Sequence, residues 1–126
     1  MEVLFEKGIP GFEEHRHFNI SIIDENSKFY EIVSKEDYNI GFISVSPFEI
    51  RDEYEIDLHD EIIDELDIKD PKDALVLCLI TIGNTLREST VNLKAPIIIN
   101  IKNNKGKQLI LQDDKYKMKE PLDWVW

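Results

Sequence analysis

Residues 74–82 read ALVLCLITI, nine residues without a charge. Successive side chains on an extended chain point to opposite faces, so a strand here is apolar on both. It predicts a central strand covered front and back. Cys78 lies within it and is the sole cysteine of the chain, so no internal disulfide forms. A thiol in such a run reads as a small buried hydrophobe. A catalytic role would require a positioned histidine, and His15, His17 and His59 all lie far away in sequence.

The other apolar runs are short and rich in Ile, Val, Phe and Tyr, which favours strands. Strands are expected near 2–6, 16–23, 28–34, 40–45, 53–58, 74–82, 95–102 and 107–112. In RHFNISII, Phe18, Ile20 and Ile22 alternate with Asn19 and Ser21. In EYEIDL, Tyr54, Ile56 and Leu58 alternate with Glu53, Glu55 and Asp57. Turn chemistry separates the runs: two glycines around a proline in GIPGFEE, a reversal at Asp70-Pro71, and a β-hairpin through NNKGKQ. The lysines of NNKGK are expected at the hairpin tip. One helix is expected at about 59–67, where Ile62, Ile63 and Leu66 share a face, with Asp57 or Asp60 as its cap. The fold class is therefore all-β: a small, single-domain, β-barrel-like fold spanning 1–126, with one short helix near 59–67. At 126 residues an ordinary core is feasible without cross-links.

The formal net charge is −11, and it is segregated. Residues 49–73 hold twelve acids against three bases, whereas 94–119 hold seven lysines against two acids. This balance argues against unaided binding to DNA or RNA and favours a basic partner. Residues 90–112 carry lysines but no Phe, Tyr or Trp to stack on bases. The acidic stretch lacks the glycine and spacing of a calcium loop, and no HExxH, GxGxxG or GxSxG motif occurs. No catalytic residue, metal or cofactor is expected. The beginning of the chain lacks the positive charge and apolar run of a signal peptide, and no window approaches a membrane span, so a soluble, cytoplasmic protein is expected.

Specific strings carry a resemblance. GIPGFEEHRHF (8–18), SPFEI (46–50), DPKDALVLCLITI (70–82) and NLKAPIIINIKNNKGKQLIL (92–111) are together similar to the FliW family of flagellar assembly factors. The likeness is collinear over nearly the whole chain. NLxAPIxIN followed by a basic GKQ turn is its most specific piece.

The resemblance implies a small cytoplasmic, β-barrel-like, non-enzymatic protein that is a monomer when free. It implies two partners, flagellin and the carbon storage regulator CsrA, a small RNA-binding translational repressor. Capture of CsrA relieves repression of flagellin synthesis, and export of flagellin frees the factor to capture CsrA. In the family this antagonism is allosteric; charge alone would suggest phosphate mimicry.

The residues singled out for partner binding are Phe48, Glu53, Glu55, Asp57, Asp60, Glu61, Asp64, Asn92, Pro96 and Asn100. For Asn92 and Asn100 the plainer alternative is that their amides tie down backbone. The terminal PLDWVW aligns Trp124 and Trp126 on one side of a strand, either packed on the barrel or exposed as an aromatic anchor. The reading from another class is a hydrolase or isomerase with paired carboxylates in a barrel mouth.

Overall fold

A computed structural model describes residues 1–23, 25 and 28–122. Trp124 and Trp126 lie outside the described residues. The strands are β1 (Glu2–Leu4), β2 (His17–Ile22), β3 (Phe29–Ser34), β4 (Gly41–Val45), β5 (Ala74–Thr81), β6 (Thr90–Val91), β7 (Ile97–Asn100), β8 (Lys105–Gln108) and β9 (Glu120–Pro121). The helix is α1 (Asp60–Leu66). Neighbours run β4-β3-β2-β1-β8-β7-β5, and β4 pairs back onto β5. Seven strands thus close a barrel, while β6 and β9 extend it beyond β5. The closing pairs are antiparallel except β1 with β8, which meet in parallel at Leu4 and Lys105 alone.

The barrel interior holds Val3, Phe5, Ile9, Phe18, Ile20, Ile32, Leu77, Ile97 and Ile99, with Leu75 and Leu79 packed against them. The alternate residues of β5 point outward into a second apolar layer. Cys78 and Ile80 join Val45, Tyr54, Leu93, Tyr116 and Leu122 there. Val76 joins Ile98, Leu66 and Ile68, with Ile62 and Ile63 of α1 above them. ALVLCLITI is therefore covered on both faces, as its composition requires, and Cys78 is 0% exposed. Burial pushes the Cys78 thiol up to about 12, partly offset by its hydrogen bond to Tyr54.

Two glycines are required by close approach. Gly8 has a φ of +69°, and a Cβ there would sit 2.6 Å from the Glu13 backbone. Gly106 lies in β8 against Phe5, where a Cβ would meet the ring at 2.6 Å.

Several expectations change. Residues 53–58 form no strand. Tyr54, Ile56 and Leu58 do face inward while Glu53, Glu55 and Asp57 are exposed, but no neighbouring strand is in register to make a ladder. Alternation reports a half-buried extended chain, not its pairing. The strand expected at 107–112 begins earlier, so Lys105 and Lys107 lie on β8 and only Lys102 sits in the turn. The strand expected at 95–102 ends at Asn100, so Ile101 is exposed in that turn. Neither Asp57 nor Asp60 caps α1: the cap position is His59, and its side chain makes no capping bond. Strands β6 and β9, two residues each, were not legible as runs.

Candidate protein-binding surface

The stretch between β6 and β7 is an excursion in one long partner of β5. Ile80 pairs with Val91 and Leu77 with Ile97. Between those pairs β5 has two residues and its partner five, 92–96. Asn92 holds the surplus in place: its Oδ1 accepts hydrogen bonds from the N–H groups of Lys94 (3.1 Å) and Ala95 (3.0 Å). Its own N–H reaches the Leu79 carbonyl at 2.9 Å. Pro96 ends the excursion at the start of β7, where no ladder N–H is needed, and it is buried. The carbonyls of Lys94 and Pro96 accept from the N–H groups of Leu111 (2.8 Å) and Leu109 (2.9 Å).

Asn100 is 1% exposed at the end of β7. Its Nδ2 donates to the carbonyls of Leu66 (2.8 Å) and Asp67 (3.1 Å), and its Oδ1 accepts from Lys102 N–H (2.9 Å). Asn103 Nδ2 adds a bond to Leu66 O at 3.0 Å. Two asparagines thus satisfy carbonyls that α1 leaves open at its C-terminus. Asp67 closes the helix in the left-handed region at φ +53°. Pro96 and Asn100 are buried, so the structure presents neither at the surface. Asn92 is partly exposed, with its amide oxygen already engaged.

The acidic residues divide. Glu65 faces the barrel, 2.6 Å from Lys107 Nζ and 2.8 Å from Lys7 Nζ. The hydrogen bond from Lys107, then that from Lys7, holds its carboxyl below the ordinary value. Glu53, Glu55, Asp57, Asp60, Glu61 and Asp64 are exposed. Glu55 has only a loose approach of Lys115 at 3.9 Å, and Glu53 one of Arg51 at 3.7 Å. Arg51 also pairs with Glu120, tying this segment to β9. Phe48, on the 3-10 turn Pro47–Glu49, is 47% exposed and meets Tyr54 edge-on at 5.7 Å.

Beside this acidic row runs a groove of about 430 Å³. Ile62, Leu109 and Leu111 give it an apolar floor, and Glu55, Asp57, His59, Asp113 and Lys115 its rim. No pattern in the sequence foretold this groove. Its far wall is the continuation of β8 beyond Gln108, where the expected strand ran on to 112 but the ladder stops. A second cleft, lined by Glu49, Asp52, Glu53 and Glu120, is broad and open, and Glu120 is committed to Arg51. His15 and His17 are likewise engaged locally, with Ser34 Oγ (2.7 Å) and Glu36 (3.5 Å). Among the described residues no group of three or more His, Cys, Asp or Glu is placed to hold a metal. Among them, too, no helix is long and apolar enough to cross a membrane.

These features define a class: a small closed β-barrel with an external apolar layer and an acidic, grooved flank. The chain belongs to the FliW family, whose model, described as FliW protein, matches residues 2–122. The Flagellar assembly factor FliW of Clostridioides difficile (strain 630) is 49% identical over 122 residues, covering 97% of this chain and 94% of that one. That of Clostridium botulinum (strain 657 / Type Ba4) is 50% identical over 120 residues, covering 95% and 84%. A crystal structure of the flagellar assembly factor FliW superposes with a TM-score of 0.88 at 36% identity, covering 96% of this chain and 84% of that one.

Proposed function

We propose that this chain is a flagellar assembly factor that acts by binding proteins, not by catalysis: it binds flagellin and antagonises CsrA, relieving repression of flagellin translation. The observation that carries the reading is near-full-length identity of about half to relatives named Flagellar assembly factor FliW. The surface supports it in kind. Six carboxylates, Glu53, Glu55, Asp57, Asp60, Glu61 and Asp64, are exposed along one flank. A basic RNA-binding protein offers the complementary potential, and such a field acts chiefly on association rate.

The test is capture from the lysate of a flagellated bacterium with the full chain as bait. Recovery of flagellin and CsrA supports the reading, and recovery of neither sinks it. Reversing Glu53, Glu55, Asp57 and Glu61 together to lysine is expected to slow CsrA association and flatten its salt dependence. Thermal stability should move by about 1 kcal/mol or less, because all four side chains are exposed. An unchanged affinity and salt slope would reduce the acidic row to a solvated face.

A further inference from the structure

The groove beside the acidic row lies between two segments outside the ladders, 55–59 and 109–113, and each carries some backbone groups that make no hydrogen bond among the described residues. On one side, Glu55 N–H donates to the Tyr116 hydroxyl at 2.8 Å, and that hydroxyl reaches Glu53 O at 3.4 Å. Tyr116 thus bridges one end of the gap. In an extended chain the amides of residues two apart point the same way. Asp57, two residues beyond Glu55, therefore turns its N–H and C=O to the groove side, and they make no hydrogen bond among the described residues. On the other side, Leu109 and Leu111 donate to the excursion at 94–96. By the same alternation Ile110, which lies between them, turns its amide away from the excursion, and the backbone groups of Ile110 and of Gln112, at the bend that follows, make no hydrogen bond among the described residues. Ile110 is 67% exposed. Unpaired, exposed edges above an apolar floor are what strand addition requires.

We infer that the groove between residues 55–59 and 109–116 receives an extended segment of a basic partner, added as a strand, with alternating apolar and basic side chains. Apolar side chains of one face would reach Ile62, Leu109 and Leu111. Basic ones would meet Glu55, Asp57 and Asp113, three rim carboxylates against the single Lys115. This charge balance selects the basic segment over an acidic one. The inference rests on the proposed binding of a basic protein and adds the place and the mode.

The probe is the capped peptide acetyl-KVKIKVK-amide, titrated into the isotopically labelled full chain and followed by amide NMR. The expected result is saturable shifts and slowed hydrogen exchange at Asp57, Ile110 and Gln112. Two further peptides carry N-methyl groups, one on the Val/Ile residues and one on the lysines, so that each loses one backbone edge. At least one should bind about tenfold more weakly, the equivalent of about one lost hydrogen bond. Asp57→Lys with Asp113→Lys, both exposed, should lose the basic peptide and gain acetyl-EVEIEVE-amide. Unmoved amides at all three residues, or equal binding of all three basic peptides, would overturn the inference. So would concentration-dependent shifts at these amides without peptide, which would place a second copy of this chain in the groove. Lysate capture separates the two levels. CsrA recovered by a chain whose groove ignores the peptide refutes the groove alone. A groove that takes the peptide while neither partner is recovered refutes the proposed function alone.

Discussion

The two ends of α1 are built differently. At the C-terminus, Asn100 and Asn103 donate into the Leu66 and Asp67 carbonyls, and Glu65 lies between Lys7 and Lys107. At the N-terminus, His59 supplies no side-chain cap, and in the chain leading in Ile56, Asp57 and Leu58 have no backbone partners among the described residues. Seven residues of helix are too few to stand alone in water. The clamped end therefore determines where the helix sits, and the open end is the one at which the inferred strand addition would dismantle nothing.

Asn100→Ala should produce the largest break in this contrast. It removes the buried bond to the Leu66 carbonyl, leaving that group to Asn103 alone, and strips Asp67 O and Lys102 N–H of their side-chain partner, and the expected loss is about 2 kcal/mol. Chemical denaturation checks it. A variant of full stability that fails to capture a partner would instead assign Asn100 to binding.

Glu65→Gln comes next, through its pH dependence. The folded-state pKa of Glu65 is lowered from 4.5 by Lys107 and Lys7, so the stability it adds is present above that value. That stability is lost as pH falls through the lower folded value. The variant should be less stable near neutrality, and its denaturation curve should converge with the parent's as pH drops below 4.5. Parallel curves across that range would mean the clamp contributes nothing.

His59→Asp sharpens the other end and has the smallest effect. A carboxylate at the vacant cap position should add about 0.5–1 kcal/mol by bonding the open N–H groups of the first turn. If stability does not rise, the open end is already satisfied by other means.

How far the sequence predicted this arrangement depends on the signal involved. ALVLCLITI announced a strand covered on both faces, because nine uncharged residues leave no wet side. The Ile62, Ile63 and Leu66 spacing located the helix to within a residue at each end. EYEIDL misled, because a chain lying half-buried on a barrel alternates as a ladder strand does. Asn92 and Asn100 allowed two readings, partner contacts or side chains that tie down backbone, and no local signal chose between them. That Asn100 reaches carbonyls 33 and 34 positions earlier in the chain depends on how α1 folds over β7, and no local pattern encodes it. The groove was invisible for the same reason: its two walls, 55–59 and 109–116, are distant in sequence and each reads as an ordinary run.

The placement of Cys78 has a practical consequence. The chain carries one thiol, sealed between the barrel wall and the outer layer, with its ionisation pushed up to about 12. The thiolate is the species that alkylating reagents attack, so the folded molecule should be nearly inert to a maleimide at neutral pH. Each modification would then record one excursion in which the outer layer lifts off β5. Followed by mass spectrometry, the labelling rate becomes an internal stopwatch for breathing of the covering segments, with no probe to install. If labelling keeps pace with that of a short unstructured cysteine peptide, the outer layer does not seal β5.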